Sequence, residues 1–85
     1  MNRKKRIETI MKNNFIYDFL NVLDDSHLHA GHQNYNGKQE SHFTIIFKLN
    51  AEIKLTKLQV HRKINELLKD EFSNGLHALQ IQLIN

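Results

Sequence analysis

The chain has 85 residues, 40% of them hydrophobic and 25% charged, which suits one small folded domain rather than a disordered segment. It contains no cysteine, so no disulfide can staple the fold and no iron–sulfur cluster can be held by its own thiolates. The formal net charge of +3 is concentrated: Arg3, Lys4, Lys5 and Arg6 supply four of the 12 basic residues, and the other eight face nine acidic ones. No apolar run approaches the ~18 residues that mark a membrane span. The basic amino-terminal run is followed by neither an apolar stretch nor a small-residue cleavage site, so no signal peptide is read. The lack of thiols and of any span points to a cytoplasmic setting.

A helix is predicted over residues 3–13, with Ile7, Ile10 and Met11 on one stripe and Asn13-Asn14 as its stop. Its basic start reads as a solvated end or a mobile arm. Phe19, Leu20, Val22 and Leu23 form a short apolar run before Asp24-Asp25-Ser26, and its length and flanks predict a strand. Residues 26–41 are polar, contain Gly31 and Gly37, and read as a long loop, a kind of segment that usually carries function in a compact domain. Phe43 to Leu49 is the clearest strand: Phe43, Ile45, Phe47 and Leu49 share one face by period two, expected to meet the helices.

Val60, Ile64, Leu67, Leu68 and Phe72 make a continuous helical stripe, with Thr56 as candidate N-cap and Asn74-Gly75 as stop. Leu76 to Ile84 reads as a last strand with Leu79, Ile81 and Leu83 on one side. Strands joined by a loop pair antiparallel, and a strand returning from a helical crossover pairs parallel. The order helix–strand–strand–helix–strand therefore predicts an α+β fold with a three-stranded mixed sheet and helices packed on one face.

The chemistry of the chain is in its six histidines. Three crowd into Ser26-His27-Leu28-His29-Ala30-Gly31-His32; His42, His61 and His77 stand at apparent structural joints. Neutral imidazole is the commonest protein metal ligand. With imidazole but no thiolate, a soft metal site here needs sulfur from another molecule. The residues leave alternatives open. His77 shares its parity with Leu79, Ile81 and Leu83 and reads as a ligand or as a core residue. The loop trio reads as ligands or as a solvated polar loop, and its spacing also suits adventitious zinc or nickel. His42 and His61 read as structural or surface residues.

Four segments, taken together, resemble the BolA family: Phe19-Leu20-Asn21-Val22-Leu23-Asp24-Asp25-Ser26, Glu40-Ser41-His42-Phe43, Leu58-Gln59-Val60-His61-Arg62 and Leu76-His77-Ala78-Leu79. They run in order over nearly the whole chain, as one BolA-like domain over residues 1–85. The resemblance implies a class II KH-like fold, α-β-β-α-β, without the Gly-x-x-Gly loop of true KH domains, which this sequence also lacks. Two departures stand out. Asn50-Ala51-Glu52-Ile53-Lys54 lacks the family's aromatic-x-Gly turn, and Val60 stands where many members have Arg.

The resemblance implies a non-enzymatic adaptor that binds a monothiol glutaredoxin and co-ligates a bridging [2Fe–2S] cluster, serving iron–sulfur trafficking or iron and redox regulation. The glutaredoxin cysteine and glutathione supply sulfur, His77 is the carboxy-terminal ligand, and His29 is the loop ligand, with His27 and His32 as alternates. The isolated protein is expected to be a monomer without cofactor. A second role associated with the family is DNA-binding regulation, for which Lys57, His61, Arg62 and Lys63 are the candidate contacts, with Arg3 to Arg6 as the arm. A non-catalytic role agrees with the sequence, which carries no Gly-x-Ser-x-Gly, Walker loop, His-Glu-x-x-His or cysteine nucleophile.

Overall fold

The computed structural model describes residues 2–26 and 41–84. Asn2 opens the first helix: its side-chain oxygen accepts the Lys5 N–H at 2.9 Å, satisfying one of the orphan donors of the first turn. Helix α1 spans Arg3–Asn14, with Ile7 and Met11 fully buried and Ile10 partly so. Phe15 then turns extended and packs edge-on against Phe47, with 5.4 Å between ring centroids.

Strand β1 (Tyr17–Asp24) pairs antiparallel with β2 (His42–Leu49), which pairs parallel with β3 (Ala78–Leu83), giving the order β1-β2-β3. The α+β architecture and mixed sheet are those expected. Phe43, Ile45 and Phe47 are buried on the core face with Val22; Leu20, Leu79, Ile81 and Leu83 complete it half-buried. The turn that lacks the family's aromatic-x-Gly is organised by Asn50 instead. Its side-chain oxygen accepts the Glu52 N–H and its amide nitrogen donates to Asp18 Oδ1, both at 3.0 Å.

Thr56 caps helix α2 (Lys57–Leu67) in a capping box: its hydroxyl accepts the Gln59 N–H at 3.1 Å, and the Gln59 side-chain oxygen accepts the Thr56 N–H at 2.8 Å. Val60, Ile64 and Leu68 are fully buried, which puts the residue at position 60 in the core. The single helical stripe expected to reach Phe72 is interrupted. Leu68, at φ −100° and ψ 11°, separates α2 from a short helix α3 (Lys69–Ser73). Beyond that joint Phe72 is 37% exposed and Glu71 turns inward.

Helix α3 ends in a Schellman-type closure, in which the Leu76 N–H donates to the Glu71 carbonyl at 2.9 Å across Gly75. Gly75 has φ +117°, a conformation that residues with a Cβ rarely adopt. Leu76 is consequently buried in the core, and the last strand begins at Ala78 rather than at Leu76.

Candidate functional site

Buried hydroxyls close the stem of the histidine-bearing segment. Ser26 is fully buried, and its Oγ accepts both the Ser41 N–H at 2.8 Å and the His42 N–H at 3.1 Å. The Asp25 N–H donates to the His42 carbonyl at 2.7 Å. Ser41 extends this stem to the third strand: its carbonyl accepts the His77 N–H at 2.7 Å and the Ala78 N–H at 3.2 Å. The backbone at His77 is thus fixed to the residue at which the chain returns from 27–40.

Two imidazoles meet at this corner. His42 is buried, and its Nδ1 shares a 2.9 Å hydrogen bond with the Ser41 hydroxyl. His77 is exposed, and its ring centroid lies 5.3 Å from that of His42 at 52° between planes. The core reading of His77 is therefore corrected: the residue precedes the strand, and the apolar parity of Leu79, Ile81 and Leu83 does not extend to it. His42, set aside by sequence reasoning, belongs to the same corner. Its buried ring limits how the exposed one can lie.

Beside the pair is a shallow cleft of about 170 Å³ lined by Asp25, His42, Thr44, Ala78 and Gln80 among others. The Thr44 hydroxyl donates to Asp25 Oδ2 there, so this carboxylate is engaged. Among the described residues, no group of three or more histidines and carboxylates is placed to hold a metal ion. The corner offers one accessible imidazole and needs further ligands from elsewhere. His27, His29 and His32 lie outside the described residues.

The expected nucleic-acid face is only partly an open cationic surface. Lys57, Arg62 and Lys63 are exposed on α2, and Lys63 Nζ sits 4.8 Å from the Phe15 ring centroid. His61 is half-buried, with its Nε2 enclosed and without a hydrogen-bond partner.

The basic arm is overturned. Arg3 and Arg6 are helical and engaged: Arg3 Nε donates to Glu71 Oε1 at 2.8 Å, and Arg6 Nε donates to Glu71 Oε2 at 2.7 Å. Arg3 also donates from Nη2 to the Asn74 carbonyl at 2.7 Å. Hydrogen bonds from Arg6 first and Arg3 second hold the Glu71 carboxyl below the usual carboxylate range, against the opposing effect of its burial. Sequence reading missed this cluster because its partners lie 65 and 68 residues apart and no periodicity marks them.

Comparison with known proteins identifies the family and the fold. A family model described as BolA-like protein matches residues 11–85. A Sinorhizobium sp. protein named "Uncharacterized protein in cobS 5′ region" is 36% identical over 83 residues, covering 96% of this chain and 89% of its own. The DNA-binding transcriptional regulator BolA of Haemophilus influenzae is 34% identical over 84 residues, covering 98% of this chain and 77% of its own. Among solved structures, the BolA domain of SufE1 from Arabidopsis thaliana superposes with a TM-score of 0.81 at 34% identity, covering 98% of this chain and 91% of its own.

Proposed function

The chain belongs to the BolA family, and on that premise we propose that it is a non-catalytic adaptor that binds a monothiol glutaredoxin and shares a [2Fe–2S] cluster with it through histidine. The observation that carries this reading is the exposed His77 ring, held beside His42 on backbone pinned to Ser41. A strand-end imidazole on a fixed backbone can present a nitrogen without rearranging the fold. His29, with His27 and His32 as alternates, supplies the second nitrogen from a segment whose stem is the Ser26–Ser41 clamp.

The cluster contributes one-electron redox chemistry and transferable iron and sulfur. Histidine ligation raises its potential relative to four thiolates. Every sulfur ligand comes from outside the chain, from the glutaredoxin cysteine and glutathione, because the sequence holds no cysteine. The adaptor alone carries no cofactor. No helix among the described residues is long and apolar enough to cross a membrane, and the proposed working place is the cytoplasm.

The reading is tested by mixing the purified chain with a cluster-loaded monothiol glutaredoxin and following co-elution together with visible circular dichroism. A one-to-one complex with an altered cluster spectrum supports it. Absence of a complex, or a complex whose spectrum is that of the glutaredoxin alone, refutes it.

A second reading, regulation through duplex DNA, is favoured by exposed Lys57, Arg62 and Lys63 and by the name of the Haemophilus influenzae relative. Phosphate contacts would dominate such binding and make it strongly salt-dependent. A mobility shift on duplex DNA that weakens steeply with added salt supports it, and no shift at low salt refutes it.

A further inference from the structure

The two edges of the sheet are unequal. Strand β1 carries Asp18 and Asp24 and a register shift between Tyr17 and Phe19. Charge and irregularity of this kind discourage pairing with another strand. Strand β3 reads Ala-Leu-Gln-Ile-Gln-Leu, with no charge and no proline, and pairs with β2 in unbroken register from Ala78 to Leu83.

Its free side is also defined. The Ala78 N–H donates to the Ser41 carbonyl and the Ile84 N–H to the Phe47 carbonyl, which directs the even-numbered amides of this strand toward β2. By the alternation of a strand, the N–H and C=O groups of Leu79, Ile81 and Leu83 point outward, and no strand among the described residues receives them. The side chains of these three residues are only half-buried, and Ile84 beyond them is 42% exposed. An uncharged edge with an incompletely covered apolar stripe is a template for one more strand.

We propose that β3 pairs antiparallel with β3 of a second copy of this chain, about a two-fold axis at Ile81, joining two three-stranded sheets into one of six strands. In that register Leu79 faces Leu83, Ile81 faces itself, and Gln80 faces Gln82. Opposed residues of an antiparallel pair lie on the same side of the sheet, so apolar side chains meet on the helix side and amides meet on the open side. A second copy is the occupant whose side chains match by symmetry, as an isologous contact requires. Only one six-residue strand per copy takes part, so the dimer is weak and concentration-dependent. The proposal departs from the monomer expected for the apo protein, and the experiment below decides between them. The inference does not depend on cluster binding, since His77 precedes the paired strand.

Sedimentation velocity on the full chain from about 10 µM to about 1 mM tests it. The expected mass rises from 10.1 kDa toward twice that value. The double variant Q80K/Q82K changes two exposed side chains and sets lysine against lysine across the interface, and is expected to weaken association on the order of tenfold. The variant Q80E/Q82K sets opposite charges in the same places and is expected to associate at least as well as the parent. A parent that stays at 10.1 kDa throughout overturns the proposal, as does association that Q80K/Q82K leaves unchanged.

Discussion

Arg3 donates to Glu71 across 2.8 Å, tying the first turn of α1 to the last helical turn before the third strand. The bond joins the start of the fold to the segment that delivers His77. Glu71 binds Arg3 and Arg6 with its carboxylate, while its carbonyl accepts the Leu76 N–H that closes α3. Leu76 is then buried, and His77 follows it into solvent. Arg3 and Arg6, which read in the sequence as part of an arm for phosphate, instead hold Glu71 at the end of the segment that leads to His77, while Lys4 and Lys5 stay exposed.

Removing this carboxylate leaves two guanidinium groups facing a pocket without their counter-charge. E71Q is expected to destabilise the domain by about 3 kcal/mol, the lower part of the range for breaking a buried pair, because Arg6 is partly solvated. Urea denaturation of parent and variant measures it. A loss below about 0.5 kcal/mol contradicts the bracing role.

The same carboxylate makes stability depend on pH. A carboxyl whose folded pKa lies below its ordinary value of 4.5 holds its proton less tightly when folded. Its contribution is complete above that value and is lost as pH falls through the folded one. The stability gap between the parent and E71Q is therefore expected to narrow as the pH is lowered below 4.5. Urea midpoints above and below that pH check it; a gap that stays constant or widens with acid contradicts the assignment.

Gly75 holds the turn that releases the chain from α3. A Cβ there would sit 3.4 Å from Arg3 Nη2, and φ +117° strains any L residue. G75A is expected to cost about 1–3 kcal/mol, read as a lower urea midpoint. At the other helix start, T56A removes the capping hydroxyl and is expected to cost about 1 kcal/mol, read as a fall of about 4–8 °C in Tm.

For the regulatory reading, K57A and R62A are expected to weaken any DNA binding equally across sequences. Each is expected to lower the salt slope by about one, for the phosphate its cation no longer neutralises. Titration at three salt concentrations measures this. An unchanged slope in both variants removes α2 from the interface.

Local pattern made the fold legible. Period two in Phe43 to Leu49, the capping signature at Thr56 and the Asn74-Gly75 stop each specify their element through nearest neighbours. The joint at Leu68 was not legible, because the apolar stripe continues through it; burial of Glu71 against α1 accompanies the change of direction. The candidate site was half legible. His77 stood out by its place at the joint between helix and last strand and by the family resemblance, but its exposure depends on Gly75 and on the Ser41 carbonyl, which no spacing encodes. His42 gave little signal: its approach to His77 follows from the parallel register of β2 and β3, in which His42 sits opposite Ala78.

The central claim concerns one nitrogen of His77. Pulsed electron paramagnetic resonance on the reduced cluster, formed between this chain labelled with ¹⁵N-histidine and an unlabelled glutaredoxin, observes that nitrogen directly. Two histidine nitrogen couplings in the parent, of which one is lost in H77A while the other is kept and the complex still forms, are the expected result. Both couplings persisting unchanged in H77A would contradict the account.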